Sequence, residues 1–339
     1  MQERKMVTRR EVARMAGVSE GTVSNVINGK DCVCSTTRER VLRFVRELKY
    51  EPNIAARNLV TGRSAHIGIA IYETTNPYHL EVAKKIEDAA SKRGYIVSFF
   101  MLDDNAPYKL QVISERRLAA LINFMTNRYP EGFIEGLREK GTLLVNFDQN
   151  YGPTFREDYR EATKELIEHV YRLGHRNIAY ICSYDEAGFA VDGRGAQFLE
   201  TTSGLDLDRV EVYYNDDFNA TSDEIGKRLA GKILREFSEV TAIFCINDLM
   251  AIGCMRTLAE AGLRVPQDIS VIGCDDINVA SLLYPSLTSM TPDKATMGED
   301  IANGIIDLIE SGGEPQSFTY KAKAVMRESV APPPDKKKS

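Results

Sequence analysis

Val18-Ser19-Glu20-Gly21-Thr22-Val23-Ser24-Asn25-Val26-Ile27-Asn28-Gly29 follows a short amphipathic stretch and a turn glycine, Gly17. Val23, Val26 and Ile27 recur at helical spacing and point inward, which leaves Glu20, Gly21, Thr22, Ser24 and Asn25 facing out. Ser19 can cap this helix, and Asn28-Gly29 can end it in a left-handed C-cap. Upstream, Thr8 and Glu11 form a T-x-x-E capping box that opens a first helix with Val12, Met15 and Ala16 on one face. Downstream, Thr36 and Glu39 repeat the box before Val41, Leu42, Val45 and Leu48, and Tyr50-Glu51-Pro52 stops a third helix. Three short helices around one small core, two of them joined by a tight turn, form a helix-turn-helix, the motif that lays a helix in the DNA major groove.

Charge divides along the chain in the same way. Residues 1–63 hold 13 Lys and Arg against 7 Asp and Glu, while the remaining 276 hold 30 against 42, for a net −6. Phosphate neutralisation is a local property, so a basic head on an acidic body still points to double-stranded DNA as partner. The plainer reading is a three-helix cap with a solvated basic face; the capping boxes, turn glycine and charge segregation together favour the DNA reader. A chain of 339 residues with 43% hydrophobic content can build two or three domains. Met1-Gln2-Glu3-Arg4-Lys5-Met6 lacks an apolar signal core and no apolar run approaches the roughly 18 residues of a membrane span, so a cytoplasmic protein is expected. The six cysteines, at 32, 34, 182, 245, 254 and 274, form no C-x-x-C pair, so reduced thiols with no metal and no cofactor are expected. Cys32-Val33-Cys34 has poor spacing for zinc and reads as inert rather than as a redox or metal switch.

Beyond Ile67 short apolar strands alternate with helical stretches, the pattern of parallel α/β layers. Strands are expected at residues 67–71, 96–100, 120–124 and 142–147, then 178–182, 210–214, 242–246 and 270–274, which makes two doubly wound lobes. Helices are expected at 78–93, 158–173, 191–203, 221–237, 248–261 and 296–311. Ligands of such sheets bind beyond the carboxyl ends of the strands. There stand Tyr72, Glu73, Asn123, Asp148, Ser183, Asp217, Phe218, Asn247, Asp248, Asp275 and Asp276. Carboxylates and amides that bond hydroxyls, with rings to cover a C–H face, suit a carbohydrate; about half of the carboxylates are as readily explained as helix caps. His66, His79, His169 and His175 stand without a nucleophile or orienting acid at motif spacing, and no Walker, G-x-G-x-x-G or H-E-x-x-H sequence occurs, so no enzyme is expected.

The segment from Thr8 to Gly62 resembles the headpiece of the lac repressor (LacI/GalR) family of bacterial transcription regulators. Val12-Ala13, Ala16-Gly17-Val18-Ser19, Thr22-Val23-Ser24, Val26, Asn28-Gly29, Thr37-Arg38, Tyr50, Pro52-Asn53, Ala56, Leu59 and Gly62 carry the likeness. Leu173-Gly174-His175-Arg176, Asn247-Asp248-Leu249-Met250-Ala251 and the run from Val265-Pro266 to Asp275-Asp276 extend it over nearly the whole chain. The resemblance implies an α/β protein: a headpiece at 1–51, a hinge helix at 52–64, a two-lobed periplasmic-binding-protein-like type I domain at 65–330 and a disordered tail at 331–339. It also implies crossings between lobes near Asp148, Ser289 and Ala324-Val325-Met326-Arg327.

On this resemblance the chain is a homodimeric repressor on a near-palindromic operator. Thr8, Thr22, Ser24, Asn28 and Thr37, with Arg38 and Arg57, would contact phosphates, and Glu20, Gly21 and Asn25 would read base edges. Glu20 is equally explained as a favourable charge at a helix N-terminus. Asn53 can cap a short hinge helix through Ala56 and Arg57 to Val60; the residues alone leave plain linker and minor-groove helix level, and the resemblance implies the helix, with Leu59 as its wedge. Asp148, Phe218, Asn247 and Asp275 stand where relatives contact effectors. Relatives place an arginine three residues before a glycine, where Asp192 precedes Gly195 here; Arg194 is expected to point elsewhere, and Pro292 replaces a polar residue of many relatives. With Glu73, Asp148, Asp192 and Asp275 together, a neutral or amino sugar is expected over an anionic one. Effector binding would alter the angle between lobes and so operator affinity, as inducer or corepressor. The tail has no heptads, so a dimer is expected rather than a tetramer. Control by a partner protein, and a secreted sugar-binding protein, are the alternatives.

Overall fold

The computed structural model describes residues 7–27, 32–48, 50, 64–72, 76–102, 106–124, 129–147, 152–216, 222–313 and 317–334. By its internal contacts the chain divides into two compact units, Met1–Ser64 and Ala65–Ser339.

The first unit contains α1 (Arg9–Ala16), α2 (Glu20–Ile27) and α3 (Ser35–Glu47). Thr8 caps α1 through the full reciprocal box with Glu11, and Gly17 closes it at φ 62°, a left-handed conformation costly for any residue with a Cβ. Ser19 Oγ accepts the Thr22 amide at 3.1 Å and so caps α2. The core is Val12, Ala13, Ala16, Val23, Val26 and Val41, flanked by Phe44, Val45, Leu48 and Tyr50. Three expectations need correction. Met15 and Leu42 are exposed, and Ala13 and Phe44 occupy the inner faces instead, because a one-residue step turns a side chain by about 100°. The second capping box does not form: α3 starts at Ser35 with Cys34 at the N-cap, which puts Thr36 inside the first turn. The C-cap at Asn28-Gly29 and the hinge helix lie outside the described residues.

The second unit runs β1 (His66–Tyr72), α4 (Pro77–Lys92), β2 (Ile96–Leu102), α5 (Ala106–Glu115), β3 (Ala120–Asn123), α6 (Glu131–Glu139), β4 (Leu143–Phe147) and β5 (Thr154–Asp158). It continues with α7 (Arg160–Arg172), β6 (Asn177–Ile181), α8 (Glu186–Val191), α9 (Gly193–Ser203), β7 (Arg209–Tyr213), α10 (Ser222–Glu236), β8 (Ala242–Cys245), α11 (Asp248–Glu260) and β9 (Ser270–Ile272). A 3-10 turn (Asn278–Leu282), β10 (Ser289–Thr291), α12 (Lys294–Ser311), β11 (Phe318–Lys321) and β12 (Lys323–Val325) complete it. The first lobe is built on the parallel sheet β11-β5-β4-β3-β1-β2 and the second on β7-β6-β8-β9. The antiparallel pair β10-β12 joins them. The strands β6 and β8, apolar but for Asn177, are buried along their whole length, as expected for sheets covered on both faces.

Several elements escaped the sequence reading: α5, α6, α8, β5 and β11. The first crossing accordingly falls at Tyr159 and not near Asp148, since Phe155 to Asp158 pair in parallel with Phe318 to Lys321 and keep the chain in the first sheet. Helix α12 returns to that lobe and lies so close to α4 that a Cβ on Gly298 would come within 2.3 Å of Lys85 Cβ. Ala331, the first residue of the expected tail, is held by the body. The Ala331 carbonyl accepts from His175 Nε2 at 2.8 Å and from Ser270 Oγ at 3.1 Å, which pins the chain to the second lobe. Among the described residues no helix is long and apolar enough to cross a membrane.

Candidate functional site

Two sites follow from this framework, one in each unit. On the headpiece, Glu20 and Gly21 open α2 in exposed positions, and Thr22, Ser24 and Asn25 are half-buried along it. Hydroxyls expected on phosphates already hold local structure: Thr8 is the α1 cap, and Thr22 Oγ1 lies 2.9 Å from Ser19 Oγ. Thr37 and Arg38 sit in the first turn of α3, where Thr37 Oγ1 is 3.1 Å from Cys34 Sγ. Asn28, Asn53, Ala56, Arg57 and Leu59 lie outside the described residues.

Cys34 stands at the exposed N-cap of α3. Hydrogen bonding by the Thr36 hydroxyl, and then by Thr37, draws its thiol down from the usual range to about 7 on an exposed helix N-cap. Iodoacetamide should therefore alkylate Cys34 with a rate midpoint near pH 7, ahead of the buried thiols in a peptide map; a midpoint near 8.5 would show that the threonines do not hold the thiolate.

In the second unit, segments that follow strand ends of both sheets meet. Asn76, after β1, donates from Nδ2 to Asp275 Oδ2, after β9, at 2.7 Å. Asp275 and Asp276 have φ of 102° and 45°, left-handed conformations that cost about 1–3 kcal/mol each outside glycine and recur at ligand clamps. The turn is held by bonds from the Asp275 amide to Met290 O, from the Asp276 amide to Ser289 Oγ, and from the Ile277 amide to Asp248 Oδ2. Burial lifts the Asp275 carboxyl to about 7, against the lowering pull of Arg194 and Asn76. Asp248, buried and near Asp275, is pushed well above the carboxylate range.

Around Asp275 lies a buried polar set. Glu157 accepts from Tyr78 Oη at 2.5 Å and from Tyr159 Oη at 2.9 Å, yet burial still raises its carboxyl. Arg194 grips Asp192 in a fork, Nε to Oδ1 at 2.9 Å and Nη2 to Oδ2 at 2.8 Å, while Nη1 donates to the Ile246 carbonyl at 3.0 Å. Its guanidinium lies 5.3 Å from the Tyr159 ring centre. Burial works to raise Asp192, and the Arg194 charge overcomes it to leave the carboxyl below its ordinary value. His79 is driven down to about 4 by burial and by the Arg194 charge.

These contacts correct the expectation for Arg194. Asp192 is the N-cap of α9, with an extended backbone at φ −70°, ψ 131°, so directions taken from an unbroken helix do not apply, and Arg194 turns toward Asp275. Asn247 is likewise the N-cap of α11, its Oδ1 accepting the Met250 amide at 2.8 Å and its Nδ2 donating to Ser222 Oγ at 3.4 Å. Asn123 is wholly buried at the end of β3. Tyr72 ends β1, and Glu73, Asp148 and Phe218 lie outside the described residues. Asn76, Tyr78, Glu157 and Tyr159 were missed, and His79 and Arg194 were named but not placed here. Asn76-Pro77 carries a local signal, an N-cap followed by proline at N1; Glu157 and Tyr159 carried none once β5 went unrecognised. Among the described residues no group of three or more His, Cys, Asp or Glu is placed to hold a metal.

A helix-turn-helix headpiece joined to a two-lobed α/β body with polar groups buried between its lobes defines a ligand-responsive DNA-binding protein. Residues 8–53 match the model for bacterial regulatory proteins of the lacI family, and residues 167–330 match a periplasmic binding protein-like domain. The HTH-type transcriptional repressor PurR of Erwinia tasmaniensis is 32% identical over 97% of this chain and 98% of its own length. The lac repressor dimer bound to operator and the anti-inducer ONPF is 26% identical, with TM-score 0.74, over 96% of this chain and 100% of that one. The complex of the transcriptional regulator CelR with cellobiose is 26% identical, with TM-score 0.65, over 95% and 99%. The chain belongs to the lacI family, and is a DNA-binding transcriptional repressor with a periplasmic-binding-protein-like effector domain.

Proposed function

We propose that this repressor binds a near-palindromic operator as a homodimer, reads it through Glu20, Gly21 and Asn25, and takes a small neutral polar effector between its lobes, all in the cytoplasm. The meeting of Asn76 and Asp275 across the lobes, beside Arg194, carries the effector reading. A neutral or amino sugar fits the hydrogen-bonding groups, and CelR is bound to cellobiose. A second ligand class is favoured by one observation. With its carboxyl near 7, Asp275 can donate and accept at once, and beside the Asn76 amide it matches the donor–acceptor edge of a nitrogen heterocycle. DNA selected from a random pool by the full-length protein, then titrated with cellobiose, ribose, glucosamine and nucleobases, tests this reading. A change of at least about tenfold in operator affinity with one ligand class is expected; no change with any would favour control by a partner protein.

Dimer formation is supported by an apolar patch on the second lobe. Val279 is 45% exposed, Leu282 79% and Tyr284 98%, and a solvated tyrosine and leucine side by side fit an interface core. Leu282→Asp with Tyr284→Asp should sediment as a monomer and lose about a hundredfold in operator affinity, the avidity of two linked headpieces. A variant still dimeric at micromolar concentration would place the interface elsewhere.

A further inference from the structure

The turn that carries Asp275 is anchored from both lobes, and the anchors from the first lobe converge on one ion pair. Lys294 Nζ, at the start of α12, lies 2.7 Å from Glu81 Oε2 on α4, and the two side chains are only 13% and 16% exposed. Each also reaches across to the backbone of the second lobe. Glu81 Oε1 accepts the Asn278 amide at 2.9 Å, and Lys294 Nζ donates to the Asp276 carbonyl at 2.7 Å. Asp276 is further paired with Arg327 at 2.6 Å, where β12 leads back into the second lobe. The pair thus ties down the peptide groups on either side of Ile277, just beyond Asp275, in a turn whose left-handed residues would relax if released.

We propose that Glu81 and Lys294 are positioning residues of the effector site, an interlobe latch that acts through the Asp276 carbonyl and the Asn278 amide to hold Asp275 against Asn76. The proposal rests on the reading of Asp275 as an effector contact. Neither residue need touch the ligand or DNA. The latch sets how much of the chain has its lobes closed, and a ligand that needs the closed arrangement loses affinity in proportion when the latch is cut.

The polarity of the contacts supplies a test that a plain ion pair fails. Exchanging the charges, Glu81→Lys with Lys294→Glu, restores attraction between the two side chains but leaves an ammonium facing the Asn278 amide and a carboxylate facing the Asp276 carbonyl. In full-length protein carrying Cys32→Ser and Cys34→Ser, nitroxides at Lys92→Cys and Glu260→Cys, one exposed site on each lobe, report the interlobe distance by pulsed electron resonance. Lys294→Met and the charge exchange should both raise the population at the longer distance by about tenfold or more, while Lys294→Arg keeps the parent distribution. Circular dichroism and the thermal midpoint establish that each variant is folded, and Glu81→Gln, whose amide oxygen still accepts from Asn278, provides a milder second variant with an intermediate shift. An unchanged distribution in Lys294→Met, or full restoration by the charge exchange, overturns the latch. The two readings fail separately. Open lobes in the variants with no response to sugars or nucleobases would sink the effector reading alone, and a ligand bound equally by parent and Lys294→Met would sink the latch alone.

Discussion

Asp275→Asn should raise the stability of the protein at pH 8 while lowering its response to effector. In the unfolded chain this carboxyl titrates near 3.9, and in the folded chain burial holds it to about 7. Below pH 4 it is protonated in both states and the two proteins should be equally stable. As pH rises from 4 to 7 the unfolded chain releases its proton first, so the wild type loses stability through that window, and above pH 7 the loss is complete. The shift corresponds to about 4 kcal/mol, or several degrees in a body of this size. His79 works with the opposite sign: its folded value near 4 means that stability falls as pH drops below about 6.5. That contribution is common to both proteins, so the difference in midpoint between variant and wild type isolates Asp275. A difference that does not grow between pH 4 and pH 7 would show that the carboxyl is not held protonated by burial. Loss of at least about tenfold in effector affinity, with selected DNA still bound, is the accompanying functional result.

Arg194→Met should be the most destabilising single change in the cleft, and adding Asp192→Asn should relieve most of the damage. The fork between Arg194 and Asp192 is largely buried, and removal of the guanidinium leaves the carboxylate without its counter-ion and the Ile246 carbonyl without its donor. Breaking such a pair costs about 3–5 kcal/mol, whereas neutralising both members is far milder. Asparagine also caps a helix as well as aspartate, so α9 keeps its start. Urea midpoints at constant m would read the effect. A single variant within about 1 kcal/mol of wild type, or a double variant no better than the single, would contradict it.

Much of this was legible in the chain. The headpiece is built from local signals, the Thr8–Glu11 box, Gly17, the Ser19 cap and valines at helical spacing, and each acts within a few residues of where it is written. The strands were legible for a related reason: segments such as Ile178 to Ile181 and Ala242 to Cys245 are apolar on both faces because helices cover both sides of a parallel sheet. Shorter or mixed elements were not. Thr154 to Asp158 is buried at Thr154 and Phe155 and then carries three charges, and it becomes a strand by pairing with Asn146 and Phe147 on one side and with Phe318 to Lys321, about 160 positions away, on the other. With that strand hidden, Glu157 and Tyr159 could not be placed.

The cleft divides along the same line. Asn247 and Asp275 were found because they follow strands, and Asp192 through the resemblance; Asp192 and Asn247 prove to be caps as well. The identity of the family, the two-unit plan and the sidedness of α2 follow from short-range patterns, since capping, turn geometry and periodicity are properties of neighbouring residues. Which groups confront one another in the cleft is a different matter. Asn76 and Asp275 are 199 positions apart, as Tyr78 and Glu157 are 79, and no periodicity relates them. Those pairings, and with them the raised carboxyl at Asp275 and the turned guanidinium of Arg194, came from the packing of two sheets through three crossings, because burial and charge proximity are set by what the fold brings together and not by what the chain places side by side.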